Sequence, residues 1–168
     1  IENFGSMNVL CADKTGTLTE GRVHLHSTLD IDGQASDAVL LYAYLNAYFE
    51  TGFANPIDEA LRTHGQLDVS GYEKLDEVPY DFIRKRLSIL VTHNGGHWIV
   101  TKGALQNVLA ACSFAETATG TVAALGTVAS QIQQRFGELS GKGFRVLGVA
   151  CRDVGAASHL TKEDEVDM

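Results

Sequence analysis

An α+β fold, built as a largely antiparallel twisted sheet flanked by helices, is predicted by three features of this sequence. The apolar patterning runs strand, two helices, several hairpin-linked strands, helix, helix, strand, which is not the strict alternation of a parallel α/β fold. "NGG" at residues 94–96 separates two runs rich in strand formers, "RLSILVTH" and "HWIVTK", as a hairpin turn would. Finally, 168 residues with 45% hydrophobic and 20% charged content and only 2 prolines can bury roughly 70% of their unfolded surface.

The elements follow in order. "MNVLCA", residues 7–12, is continuous in apolar character and reads as a short buried strand ending at Asp13, followed by the loop "DKTGTLTEG". Val23, Leu25, Leu29 and Ile31 alternate with mainly polar residues, which predicts a half-buried strand over 23–31 closed by the "DG" at 32–33. Ser36 is placed to cap a helix through "DAVLLYAYLNAYFET", whose apolar residues crowd more than one face, with Gly52 as its stop. Asn55 and Pro56 open a second helix, "IDEALRTH", with Gly65 as a left-handed stop.

Residues 71–104 read as successive strands and as the centre of the sheet, with "FIRKR" on one of them. "ALQNVLAAC" is a short helix. "TVASQIQQRFGEL" is a longer one, because Val128, Ile132, Phe136 and Leu139 are spaced by four, four and three, and Gly141 and Gly143 stop it. "FRVLGVACR" returns as a strand. The last residues, "TKEDEVDM", carry one positive and four negative charges and read as a solvated surface segment.

Bulk composition excludes some function classes. A net charge of −8 argues against nucleic-acid binding, which needs a basic face, so an anionic ligand requires a local cluster of cations. Arg84, Lys85 and Arg86 form the densest such run. No apolar run approaches the length of a membrane span. Cys11, Cys112 and Cys151 are odd in number and widely spaced, which fits free thiols in a reducing compartment. His24 and His26 fall two apart on the predicted strand, but no cysteine or carboxylate cluster accompanies them, and they read as surface histidines.

The chemistry-bearing residues begin with Asp13. An aspartate at the end of a buried strand has the placement of a ligand site, and its carboxylate can attack a phosphoryl group. Thr15 and Thr17 can donate hydroxyls to phosphate oxygens, and Gly16 lets backbone approach closely. A lone aspartate in such a loop is more often a polar turn. Further along, Phe82 offers a face for a base to stack on, against the plainer alternative of a core aromatic, and Lys102 a cation on an apolar stem, while the plainer alternative for the Arg84–Lys85–Arg86 run is a solvated edge strand. On a strand, Arg84 and Arg86 share a face with Phe82 while Lys85 points away, making Arg84 the phosphate-side contact and Lys85 the solvated one.

The whole heptapeptide "DKTGTLT", residues 13–19, resembles without mismatch the phosphorylation signature of P-type cation-transporting ATPases. Related phosphatases of the same superfamily usually carry a second aspartate where this chain has Thr15, so the stand-alone phosphatase is the weaker reading. The resemblance implies that Asp13 is the phosphorylated nucleophile, assisted by Lys14, Thr15 and Thr17, with Mg²⁺ near Asp13 and Thr15 completed by residues of a later loop. It implies an ATP-binding domain after the signature. Phe82 in "YDFIRKR" matches the family's adenine-stacking phenylalanine, and Lys102, Gly103 and Ala104 match its lysine–glycine–alanine motif. Asp58, or its neighbour Glu59, matches the acidic residue at the adenine edge, and Arg145 in "GFRVLGVA" the arginine near the phosphates.

Calcium-pump relatives carry a further lysine where this chain has Leu87, which leaves the roles of Arg84 and Arg86 open. Overall the sequence looks most like bacterial magnesium-transporting members, with another transported cation as the alternative. Residues 1–20 are then expected to belong to the phosphorylation domain and 21–168 to the nucleotide-binding domain, the cytoplasmic part of an integral membrane protein whose actuator and membrane domains are its partners. Such a chain alone is expected to bind nucleotide weakly and not to phosphorylate itself.

Overall fold

A computed structural model describes Val9, Cys11, Ala12 and residues 21–52, 55–117 and 119–168. Residues 7, 8 and 10 of the expected strand over 7–12 lie outside the described residues. The loop from Asp13 to Glu20 lies wholly outside them.

The sheet grows from three consecutive strands, β1 (Glu73–Val78), β2 (Arg86–His93) and β3 (Gly96–Ala104), joined edge to edge by β6 (Leu147–Asp153). Its order is β1-β2-β3-β6 and every pairing is antiparallel. The β2–β3 hairpin closes on His93↔Gly96, and Asn94 and Gly95 both take positive φ, 50° and 80°, as the tightest hairpin turn requires. Between β3 and β6 the chain forms α3 (Leu105–Leu109), the small hairpin β4 (Phe114–Glu116) and β5 (Val122–Ala124), and α4 (Leu125–Gly141). The structure is thus α+β, with an antiparallel sheet at its centre.

Alternation along β2 divides the core in two. Leu87, Ile89 and Val91 face one side and pack with Val100, Val69, Tyr44 and Leu45 under α1 (Asp37–Phe49). Leu90 faces the other side and meets Val78, Ile99, Leu160 and Met168. Helix α1 starts where Ser36 Oγ accepts the amide of Val39, and it lies between the sheet and α2 (Pro56–His64). Its apolar residues on several faces reflect that sandwiched position. Along α4, Val128, Ile132, Phe136 and Leu139 form the expected stripe, half-buried, and the helix ends as expected with Gly143 at φ 85° while the amide of Phe144 reaches back to the carbonyl of Leu139.

Four expectations are corrected. First, residues 23–31 make no strand; a single bridge joins Leu29 to Ala35. The alternation records one-sided burial instead, since Leu25 packs on the cluster of Ala43, Ala47 and Leu61 without a ladder partner. Second, residues 81–84 are a turn. Asp81 Oδ1 accepts the amides of Ile83 and Arg84, Lys85 takes φ 50°, and β2 begins only at Arg86, so Phe82 and Arg84 do not share a strand face.

Third, α1 stops at Glu50 rather than Gly52, and Gly65 is extended at φ −162°, so neither helix uses a glycine in the left-handed region. Fourth, "TKEDEVDM" is solvated only in part: Thr161, Lys162, Glu163, Val166 and Asp167 are exposed, but Glu165 and Met168 are buried. Thr161 and Asp164 cap each other around a short 3-10 turn, the Glu165 side chain is fully buried, and Met168 is 5% exposed beneath the sheet. Its acidic count hides one carboxylate that arginines draw inward.

Candidate functional site

The site is assembled around the end of β3. Lys102 occupies a position whose neighbours Val100 and Leu87 face α1, yet its ammonium emerges toward α2 and pairs with Asp58 in the first turn of that helix. The two side chains are 7% and 2% exposed. Asp58 sits there because Asn55 caps α2 through the amide of Ile57 and Pro56 starts it. Glu59, the other acidic candidate, points to solvent.

Glu50, at the C-cap of α1, completes a carboxyl pair with Asp58. Burial, a hydrogen bond to Asp58 and the charge of Asp58 together push its carboxyl up from 4.5 to about 7, and Lys102 and Arg62 only partly oppose this.

Gly103 follows at a close approach. A Cβ there would lie 2.4 Å from the carbonyl oxygen of Lys85 and 2.6 Å from the Cα of Arg86. The contact lets the amide of Ala104 donate to Lys85 at 2.9 Å, which ties the end of β3 to the turn before β2. That turn carries Phe82, 87% exposed, meeting Tyr80 edge-on at 5.6 Å. Ile83 beside it is 90% exposed. Two adjacent bare apolar side chains on a fastened turn are the kind of exposure that marks a contact surface.

Arg145 is exposed and lines, with Lys102, Leu25, Leu61 and Phe144, a pocket of about 370 Å³. Phe144 stacks on His26 at 4.3 Å at its rim, and both His24 and His26 are exposed. The structure therefore brings Lys102 and Arg145 to one pocket, with Asp58 joined to it through its ion pair with Lys102, and fastens the Phe82 turn to the same strand end at Gly103. Among the described residues no three His, Cys, Asp or Glu side chains are placed to hold a metal ion, and no helix is long and apolar enough to cross a membrane. Asp13, Lys14, Thr15 and Thr17, and with them the expected Mg²⁺ ligands, lie outside the described residues.

Arg84 and Arg86 are differently engaged. Arg84 donates Nη1 to both oxygens of Glu165 at 2.5 and 2.6 Å, Nε to Asp81 and Nη2 to the carbonyl of Pro79. Arg86 donates Nε to Glu165 at 2.7 Å and Nη1 to the carbonyl of Asn107. Burial alone would raise the carboxyl of Glu165, but hydrogen bonds from Arg84, Ser88 and Arg86 outweigh it and hold the group below its ordinary range. Glu165 and Glu50 escape a reading of the sequence. The Thr161-x-x-Asp164 spacing, a capping signature in an acidic run, is the signal that could have revealed an ordered tail; Glu50 offers none.

The family described as P-type ATPase, cytoplasmic domain N, matches residues 1–167. The magnesium-transporting ATPase, P-type 1, of Escherichia coli strain K12 is 36% identical over 175 aligned residues, covering 100% of this chain and 20% of that protein. The protein of the same name in Salmonella typhimurium strain LT2 is also 36% identical, covering 100% of this chain and 19% of its own length. The plasma membrane ATPase of Zygosaccharomyces rouxii is 31% identical over 89% of this chain and 16% of that protein. The chain thus spans about a fifth or less of the length of these relatives.

Proposed function

Because the chain belongs to the P-type ATPase family, matching its cytoplasmic domain N over nearly its full length, we propose that it holds ATP with the base on Phe82 and the phosphates toward Arg145. The observation that carries this reading is the 87% exposure of Phe82 on a turn fastened to the Lys102–Gly103 strand end. An aromatic ring left bare on an ordered turn is available for stacking, and every base has a face to offer it. Lys102 lines the pocket as a largely desolvated donor held in place by its ion pair with Asp58, which suits the polar edge of a base. Gly103 lets this strand end close on the turn that carries Phe82. Arg145, exposed at the rim, supplies the charge that an overall acidic chain must present locally to phosphate.

In the whole protein, Asp13 receives the γ-phosphoryl group, with Lys14, Thr15 and Thr17 around it, and the aspartyl phosphate drives cation transport. Mg²⁺ belongs with the phosphates, Asp13 and Thr15, since Asp58 and Glu50 beside Lys102 are already engaged by that lysine and by each other. The names of the bacterial relatives support Mg²⁺ as the transported ion. The phosphorylation, actuator and membrane domains of the same polypeptide are the partners.

Stacking contributes about 1–3 kcal/mol and exposed charge contacts about 1 kcal/mol in total, which approaches the roughly 4 kcal/mol of a millimolar complex. An NMR titration of the chain with ATP tests this, repeated on Phe82→Ala and Lys102→Ala. Both variants are expected to lose affinity, and unchanged binding in both sinks the assignment. Incubation with γ-labelled ATP is expected to leave Asp13 unlabelled in this chain by itself.

A further inference from the structure

Phe82 and Ile83 have little packing of their own, so the shape of their turn depends on polar bonds. Those bonds converge on Arg84, whose Nε, Nη1 and Nη2 are all occupied, by Asp81, by Glu165 and by the carbonyl of Pro79. Glu165 comes from the far end of the chain. Its carboxylate also accepts Arg86 Nε and Ser88 Oγ, the latter at 2.6 Å. Lys162, from the same tail, stands 3.6 Å from Asp81. Charges therefore alternate through Lys162, Asp81, Arg84, Glu165 and Arg86, from tail to turn to the start of β2.

The tail that supplies them is itself pinned. Arg152 donates to the carbonyl of Asp164 at 2.7 Å, and Leu160 and Met168 are buried on either side of Glu165. Moving Arg84 onto a phosphate would cost Glu165 the guanidinium that grips both of its oxygens, and a buried carboxylate that loses a charged partner is expensive. Asp81, partly exposed in the turn, is held down to about 2, first by the amide of Arg84 and then by its guanidinium, so the turn keeps its charge pair across the physiological range.

We propose that Glu165 is a positioning residue for the base-stacking site: through Arg84 it holds the turn of residues 79–84 in the form that presents Phe82. Arg84 accordingly serves the base side of the nucleotide and makes no phosphate contact. The proposal rests on the reading of Phe82 as the base platform.

The test compares adenosine and ATP binding to the chain and to Glu165→Gln by NMR titration at two salt concentrations, together with the amide signals of Phe82 and Ile83 without nucleotide. In Glu165→Gln those two signals move toward unstructured positions. Affinity for adenosine and for ATP falls by the same factor, about tenfold, as loss of one stacking contact implies, and the salt dependence of ATP binding keeps its slope. Unchanged adenosine binding with weaker ATP binding and a shallower salt slope overturns the proposal, as does no change in either ligand. Asp81→Ala releases the same turn from its exposed side and is read against the same outcomes where Glu165→Gln does not fold. Phe82→Ala separates the two readings: if it leaves adenosine affinity intact, the base platform fails, while a displaced turn in free Glu165→Gln still bears on Glu165 alone.

Discussion

Lys102 on β3 and Asp58 on α2 form an ion pair in which neither side chain is more than a tenth exposed. Taking both charges out of water offsets much of their attraction, but removing one partner leaves the other buried and unpaired. Asp58→Ala and Lys102→Met are each expected to cost about 3 kcal/mol, and the double variant clearly less than the sum of the two. Urea unfolding of the four proteins measures this; additive costs would show that the pair is not coupled.

Glu50 makes the same cluster a proton sensor. Its carboxyl is raised from 4.5 to about 7, so the folded chain binds a proton that the unfolded chain releases in that interval. Stability is therefore complete below pH 4.5 as far as this group is concerned, and falls as pH rises through about 7. Because the group is half in water, the loss is about 1 kcal/mol rather than the full value of the shift. Glu50→Gln should flatten this part of the pH profile and be the more stable protein at pH 8. A wild-type profile that is level from pH 5 to 8 would show that the Glu50 carboxyl is not raised.

Much of this was legible in the sequence where local chemistry and tertiary context agree. Ser36 and Asn55 cap helices, "NGG" turns a hairpin, and the α4 stripe packs, because each depends on neighbours a few residues away. The misreadings share a cause. The period of 2 in residues 23–31 reports that Leu25 is buried, and burial does not require a ladder partner. Asp81 takes two amides of its own turn, which ends the expected strand between Phe82 and Arg84. The buried state of Glu165 depends on two arginines that stand about eighty positions earlier in the chain, a relationship that no local pattern encodes.

Gly103 is required by contact rather than by its backbone angles. A methyl group there meets the Lys85 carbonyl at 2.4 Å and Arg86 at 2.6 and 2.6 Å, and because most of these are backbone atoms they cannot swing aside. Gly103→Ala is expected to cost about 3 kcal/mol, at the upper end of overpacking, and to shift the amide signals from Phe82 to Arg86. Gly126→Ala, in open space on α4, is the control and should gain up to about 1 kcal/mol of helix propensity. Equal effects at the two positions would mean that the β3 end is not closed on the turn.

The tail offers a sharp contrast between neighbours. Met168 is 5% exposed, its sulfur accepts the Thr101 hydroxyl at 3.3 Å, and its backbone bonds to Ala111, Ser113 and Phe114. Val166, two residues earlier, is 47% exposed. Truncating Met168 to Ala removes a side chain from the cluster with Leu90 and Ile99 and should cost about 2–4 kcal/mol, whereas Val166→Ala should stay within about 0.5 kcal/mol. Since the same tail carries Glu165, Met168→Ala should also loosen the Arg84 turn, seen as broadening at Phe82. Denaturant midpoints that are equal for the two variants would return the segment to solvent.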